Sequence, residues 1–127
     1  MSRWKLGAIS ALAVLGVASA VFAGARSYFP LSVNVSGHFA NGGLAETHNT
    51  ADFTQYVECG SNPTTGFCTV RDSGGTFYSC FTTDASLLAV IRSMSPDSTF
   101  SIAWDPTTNQ CTYVLSYASS RVAPRSP

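Results

Sequence analysis

The sequence contains little charge. Only 11% of its residues are charged, against about a quarter in ordinary soluble domains, and its one lysine is Lys5. Because seven acidic residues balance seven basic ones, neither a strongly basic nucleic-acid-binding protein nor an acidic, solvating chain fits the composition. Hydrophobic residues make up 45% of the 127 positions, which is enough to build the core of one domain.

Motifs of several common enzyme classes are also missing. The sequence has no G-x-S-x-G serine elbow, no G-x-G-x-x-G fingerprint and no lysine-bearing P-loop. Its only histidines are His38 and His48, and neither has the neighbours that a serine triad needs. The cysteines are separated by 9, 12 and 31 positions, unlike the tight pairs of a zinc site. We therefore expect no metal, no cofactor and no enzymatic activity.

The N-terminus has the pattern of a secretory signal peptide. Arg3 and Lys5 precede an apolar run that ends in small residues at Ala20 and Ala23. We expect cleavage after Ala23, with Ala20 as the alternative, so the signal peptide covers residues 1–23. An uncleaved anchor is the other interpretation, although the run is at the short end of the roughly 20 residues that a span needs. The mature chain is expected in the periplasm or outside the cell, with no stable membrane span.

The mature chain would keep only five basic residues, all arginines, against seven acidic ones. They are scattered rather than clustered: Arg26, Arg71, Arg92, Arg121 and Arg125. A nucleic-acid-binding surface needs several neighbouring cations to contact phosphates, so no nucleic-acid partner is expected. The expected partner is a protein or a glycan of the envelope or the extracellular space.

Four cysteines follow the signal peptide: Cys59, Cys68, Cys80 and Cys111. An even number in an exported chain predicts two disulfides. Turn-forming residues at 60–67 favour a bond between Cys59 and Cys68, which leaves Cys80 with Cys111. The alternative pairing, 68–80 with 59–111, stays open because a short turn at 73–75 also places Cys68 opposite Cys80.

Alternation of apolar and polar residues predicts a series of β-strands. The strongest turn signal is Asp72-Ser73-Gly74-Gly75, and Asn41-Gly42-Gly43 is expected to end the first strand. The polar segment 44–52 has no clear pattern. The predicted strands cover residues 31–39, 53–59, 67–72, 76–82, 100–104 and 111–117.

One segment has helical rather than strand periodicity. Leu87, Ile91 and Met94 recur at the spacing of a helix face, and Asp84 is placed to cap the N-terminus. A short helix near residues 85–95 is therefore predicted.

The predicted fold is mainly β, of the α+β class. It is an antiparallel sheet or small sandwich of about six strands with the helix packed on one face. We expect one disulfide-stabilised domain over residues 24–120 and a frayed tail over residues 121–127.

The sequence resembles a group of small exported proteins of Gram-negative bacteria, over roughly residues 33–120. The resemblance is carried by the four cysteines and by short strings such as Ala51-Asp52-Phe53-Thr54-Gln55-Tyr56, Arg71-Asp72, Trp104-Asp105 and Ser119-Ser120. It implies a Gram-negative source and a periplasmic or secreted location. It implies no activity and no catalytic residue.

Aromatic residues, 12% of the chain, indicate a binding surface. We expect Tyr56, Tyr78 and Trp104, with Asp105 beside them, to contact a sugar or a peptide; core and cross-strand packing is the ordinary role of such residues.

The sequence is compatible with three alternative functions. The first is a non-catalytic binding or structural module of the bacterial envelope. The second is an exported inhibitor of a hydrolase, a lysozyme or a protease, that presents a rigid loop at 60–67 or 105–110. The third is an enzyme with an acid–base or cation site around Glu46, His48 and Asp52.

Overall fold

A computed structural model of the chain describes residues 28–122. Within this range it is mainly β, which confirms the predicted class, with two antiparallel sheets, one more strand than expected and a second helix. The elements in chain order are β1 (Ser32–Asn34), β2 (Phe39–Gly43), α1 (Leu44–His48), β3 (Tyr56–Ser61), β4 (Gly66–Arg71), β5 (Phe77–Thr82), α2 (Ala85–Ser93), β6 (Thr99–Trp104) and β7 (Cys111–Tyr117).

The two sheets enclose one hydrophobic core. The larger sheet has the order β1-β2-β6-β7 and the smaller β3-β4-β5. Val70 from the smaller sheet and Phe100 and Ile102 from the larger one are almost completely buried in the same cluster. Helix α2 contacts β3, β4 and β7, so it packs against strands of both sheets. The arrangement is a small sandwich, in which each sheet buries one face and leaves the other in solvent.

The disulfides pair as predicted, Cys59 with Cys68 and Cys80 with Cys111. The first crosslinks neighbouring strands β3 and β4. The second joins β5 of the smaller sheet to β7 of the larger sheet, so it covalently connects the two layers. Two disulfides indicate an oxidising environment, periplasmic or extracellular.

The predicted first strand, 31–39, is wrong as a single element. It forms the hairpin of β1 and β2, which pair antiparallel from Ser32 with Asn41. The Asn34 side chain accepts hydrogen bonds from the Gly37 N–H (2.7 Å) and the Ser36 hydroxyl (3.0 Å) and so stabilises the turn. The expected break at 41–43 is also wrong, because β2 continues through these residues and pairs with β6.

The segment without a clear pattern contains helix α1, and the strand predicted from Phe53 begins three residues later, at Tyr56. The Asp52 carboxylate accepts the N–H groups of Thr54 and Gln55, both at 2.8 Å. This local turn competes with strand formation and leaves Phe53 fully exposed.

The predicted helix is confirmed as α2, which ends at Ser93. The Asp84 carboxylate accepts hydrogen bonds from the N–H groups of Ser86 and Leu87, as expected of an N-cap. Leu88 and Ile91 are its buried residues.

Two sequence predictions fall largely outside the described residues. These are the signal peptide at 1–23 and the tail, of which only Arg121 and the buried Val122 are described. Between residues 28 and 122, no helix has the length and apolar character needed to cross a membrane.

Candidate functional site

Two of the predicted binding residues meet at the boundary between the sheets. Tyr78 on β5 stacks on Trp104 of β6, with ring centroids 4.0 Å apart and planes 13° from parallel. Trp104 is only 3% exposed, and its indole N–H has no hydrogen-bond partner in the described part of the chain. The stacked pair is therefore a core contact, of which Tyr78 is the more accessible ring.

Asp105, the third predicted residue, begins the loop at 105–110. Its carboxylate accepts the Thr107 N–H at 2.8 Å. Asn109, at φ 58°, accepts a 2.5 Å hydrogen bond from the Tyr78 hydroxyl through its side chain. Its carbonyl accepts the Phe81 N–H at 3.1 Å. These contacts attach the loop to β5, next to the disulfide at Cys111.

The other loop considered from the sequence, between β3 and β4, is attached to helix α2. The Arg92 guanidinium donates hydrogen bonds to the carbonyl oxygens of Asn62 (2.8 Å) and Pro63 (3.1 Å) and to the Ser61 hydroxyl (3.3 Å). Within the loop, the Asn62 side chain accepts the Thr65 N–H at 2.7 Å. The loop conformation is thus stabilised by hydrogen bonds within the loop and by those from Arg92.

The possible acid–base cluster does not converge. Glu46 is buried on α1 and accepts a hydrogen bond from the Phe29 N–H, whereas His48 is exposed at the C-terminal end of the same helix. Only His48 and Asp52 line a common groove, of ≈ 220 Å³. Among residues 28–122 no three histidine, cysteine or acidic side chains are grouped closely enough to hold a metal ion.

The Asp52 carboxylate has a structural role in its turn. The hydrogen bonds that it accepts from the main chain and side chain of Gln55, and from the main chain of Thr54, lower its pKa below the usual 3.8. A carboxylate held in its ionised form by these donors is a poor general acid or base at neutral pH.

The outer face of the β3-β4-β5 sheet is the most distinctive exposed surface. Register aligns its outward residues in three rows: Tyr56–Arg71–Phe77, Glu58–Thr69–Ser79 and Gly60–Phe67–Phe81. The four aromatic residues are between 38% (Phe67) and 52% (Phe77) exposed. We call this surface the aromatic face: Tyr56, Glu58, Gly60, Phe67, Thr69, Arg71, Phe77, Ser79 and Phe81.

The aromatic face has aromatic rings at both ends and polar groups between them. Its outer rows are separated by four residues along the strands, or about 13 Å. In the middle row the hydroxyl groups of Thr69 and Ser79 hydrogen-bond at 2.9 Å. At one end the Phe67 ring lies over Gly60, where an added Cβ would approach it to 2.9 Å. The missing side chain at Gly60 thus lets the ring approach the main chain of β3 closely.

The outer face of the larger sheet is also apolar but carries no charge. Phe39, Tyr113, Leu115 and Tyr117 project from it and are partly exposed. Every other outward position on these four strands is alanine, glycine, serine, threonine or asparagine. The aromatic face differs from it by having Arg71 and Glu58, which give directional contacts.

Of the residues predicted to bind, only Tyr56 lies on the aromatic face. Phe67, Phe77 and Phe81 are not among the residues predicted from the sequence, although the sequence carries a signal for two of them. Cys68 and Cys80 must point inwards to form buried disulfides, so Phe67 and Phe81, their neighbours along the strands, must point outwards.

Comparison of the chain with protein-family models, with curated proteins and with solved structures finds no match in any of the three. The geometry of the described residues is therefore the basis for the functional argument.

Proposed function

We propose that the chain is an exported, disulfide-stabilised module without catalytic activity that binds a protein of the envelope or extracellular space through the aromatic face. The observation that carries this proposal is the exposure of four aromatic side chains on one face of the smaller sheet, with Arg71 between two of them, Tyr56 and Phe77. Aromatic residues and arginine are enriched in protein interfaces, and lysine is depleted.

The exposed area of the aromatic residues offsets much of the cost of association, but not all of it. A large aromatic side chain buries about 150–250 Å², so four that are roughly 40% exposed offer about 250–400 Å² in all. At about 25 cal/mol per Å² this amounts to about 6–10 kcal/mol before the costs of association. Those costs are about 4–15 kcal/mol, so further contacts from the polar groups are needed for tight binding.

The charges on the aromatic face define the partner. Arg71 lies between Tyr56 and Phe77, and Glu58 lies one row away. A complementary protein surface has an apolar centre, an acidic residue opposite Arg71 and a donor or basic residue opposite Glu58. The fork of donors on arginine favours a carboxylate over a neutral acceptor.

The test compares variants of the two outer faces. The oxidised mature chain, biotinylated at one terminus, is crosslinked to envelope proteins of the producing cell, and captured proteins are quantified by mass spectrometry. Phe77→Ser with Phe81→Ser should reduce capture of the specific partner at least tenfold. The matched control is Tyr113→Ser with Leu115→Ser, which removes similar area from the other face and should retain the partner.

Circular dichroism and thermal melting establish that both pairs of variants fold. If Phe77→Ser with Phe81→Ser captures the same proteins in the same amounts as the unaltered chain, the aromatic face is not the binding surface.

Inhibition of a hydrolase is a second candidate function, favoured by the fixed loop between β3 and β4. Three hydrogen bonds from Arg92 hold this loop before any partner arrives, which lowers the entropic cost of inserting it into an active-site cleft. The test is inhibition of lysozymes and proteases by the oxidised chain. Arg92→Ala should weaken inhibition at least tenfold, and an absence of inhibition across both enzyme classes removes this candidate.

A further inference from the structure

The two edges of the β3-β4-β5 sheet are in different states. At the β5 edge, the Phe81 N–H donates to the Asn109 carbonyl, so the 105–110 loop occupies part of the edge. At the β3 edge, no main-chain group from elsewhere in residues 28–122 hydrogen-bonds to the outward main-chain groups of Val57 or Cys59. An uncovered strand edge is a template for another strand.

Register and distance identify which groups point outwards. The Cα atoms of Cys59 and Cys68 are 4.1 Å apart, the close spacing of an antiparallel pair that does not exchange hydrogen bonds. Such pairs alternate along the ladder, so Val57 and Val70 form another. The N–H and C=O groups of Val57 and Cys59 therefore point away from β4, and they place two donors and two acceptors along this edge, without main-chain partners in the described part of the chain.

A groove lies beside this edge. Its volume is ≈ 390 Å³, and its wall consists of Val57 and Cys59 on one side and of residues from α1 and from the segment that follows α2 on the other. Leu44, Met94 and Pro96 make part of the lining apolar. A second groove of ≈ 220 Å³ shares Leu44 and Val57 with the first, so the depression continues along the strand. The first volume lies within the range of specific binding sites.

The charged residues that line the two grooves are acidic. Glu58 lines the first, Asp52 lines the second, and His48 lines both. None of their described lining residues is lysine or arginine. A ligand with a cationic group therefore fits these grooves better than an anionic one.

We propose that β3 captures an extended, basic peptide segment of another protein as a fourth strand of the smaller sheet. The main chain of the segment pairs with Val57 and Cys59. Alternate side chains are apolar and enter the groove between Leu44 and Met94, and the intervening side chains include a lysine or arginine near Glu58. Strand addition at a groove edge uses main-chain hydrogen bonds for affinity and side-chain pockets for specificity. This site shares Tyr56 and Glu58 with the aromatic face, but the main-chain groups of Val57 and Cys59 and the groove beside them lie outside that face, so the proposal does not rest on the proposed function.

The probe is a synthetic peptide of about seven residues, the usual length of a strand, in which valine alternates with lysine or threonine. Binding is measured by fluorescence anisotropy and by amide NMR on the oxidised mature chain. The peptide should shift and protect the amides of Val57 and Cys59. A peptide with glutamate in place of lysine should bind at least tenfold more weakly at low salt.

Two variants of one residue separate the main-chain contact from the side-chain contact. Val57→Pro removes the outward N–H, a change that an edge strand tolerates, and Val57→Ala shortens the side chain but keeps the N–H. We expect Val57→Pro to bind the peptide at least tenfold more weakly than Val57→Ala. A peptide N-methylated at alternate residues, which needs no change in the protein, should lose binding to the unaltered chain in the same way.

Four outcomes would overturn the proposal. Two concern affinity: equal peptide affinity of Val57→Pro and Val57→Ala, or no binding at millimolar peptide. The other two concern the amide spectra: peptide-induced shifts confined to the aromatic face, or concentration-dependent protection of Val57 without peptide, which would indicate that two copies of the chain pair at this edge. The variant pair Phe77→Ser with Phe81→Ser should bind the peptide unchanged. Loss of partner capture by that pair and loss of peptide binding by Val57→Pro are thus independent results.

Discussion

The disulfide between Cys80 and Cys111 is expected to contribute more to stability than the one between Cys59 and Cys68. It closes a longer stretch of chain, with a sequence separation of 31 against 9, and it joins the two sheets instead of two neighbouring strands. The perturbation is replacement of each pair by alanine, with the other pair left intact.

The magnitude follows from loop length and burial. On the chain-entropy model the two disulfides contribute about 3.7 and about 2.7 kcal/mol, respectively. Cys80 and Cys111 are both buried, whereas Cys59 is half-buried beside a groove. Removing the two buried sulfur atoms leaves a small void that costs about 1 kcal/mol more. We therefore expect losses of about 4–5 kcal/mol for the Cys80/Cys111 pair and about 3 kcal/mol for the Cys59/Cys68 pair.

Urea unfolding at 25 °C, followed by circular dichroism, measures these losses. The free energy extrapolated to water is the quantity to compare, because removal of a crosslink also expands the unfolded chain and raises the denaturant slope. Mass spectrometry of each variant establishes that the remaining disulfide is formed. A loss for the Cys59/Cys68 variant equal to or larger than that for the Cys80/Cys111 variant would refute the reasoning. The free energy of unfolding of a small domain is about 5–15 kcal/mol in total. The Cys80/Cys111 variant should therefore be close to unfolding without denaturant.

Three further predictions concern local structure. Asp84→Ala removes the cap of α2 and should lower the free energy of unfolding by about 1 kcal/mol in urea titrations, whereas Asp84→Asn, which keeps an accepting oxygen, should lose less. Gly75→Ala puts a side chain at φ 86° and should cost about 1 kcal/mol; a neutral result would mean that the turn relaxes. The lowered pKa of Asp52 means that its contribution is present above the unfolded value of 3.8 and is lost as the pH falls through the folded value. Asp52→Asn should therefore lose stability relative to the unaltered chain at pH 6, and the difference should shrink as the pH falls below 3.8; a difference that does not depend on pH would contradict the assignment.

The two proposed surfaces use different physical means of recognition. The aromatic face offers side chains in a fixed array, so its specificity depends on apolar shape and on Arg71. The β3 edge offers main-chain groups, so it accepts many sequences that share an alternating pattern and a positive charge. Both surfaces require a rigid sheet, and the disulfide between Cys59 and Cys68 lies in that sheet.

Local physical chemistry accounts for the elements that the sequence predicts correctly. Asp84 supplies the acceptor that starts α2, and the glycines of 72–75 permit the turn between β4 and β5. Both depend on residues within a few positions of each other, so they are visible in the sequence. The pairing of Cys59 with Cys68 follows in the same way, since the two lie on strands joined by a short loop.

Long-range contacts determine the features that the sequence predicts incorrectly. The segment 31–39 alternates as one strand would, yet it folds as a hairpin because β2 pairs with β6, some 60 residues later in the chain. Only one predicted binding residue, Tyr56, is on the aromatic face, since exposure depends on which side of each strand the opposite sheet covers. Trp104 is predicted to bind for the same reason as Tyr56, its aromatic side chain, but it lies under Tyr78 in the core. Residue type and alternation specify that a strand has two faces; the packing of the second sheet determines which of them meets solvent.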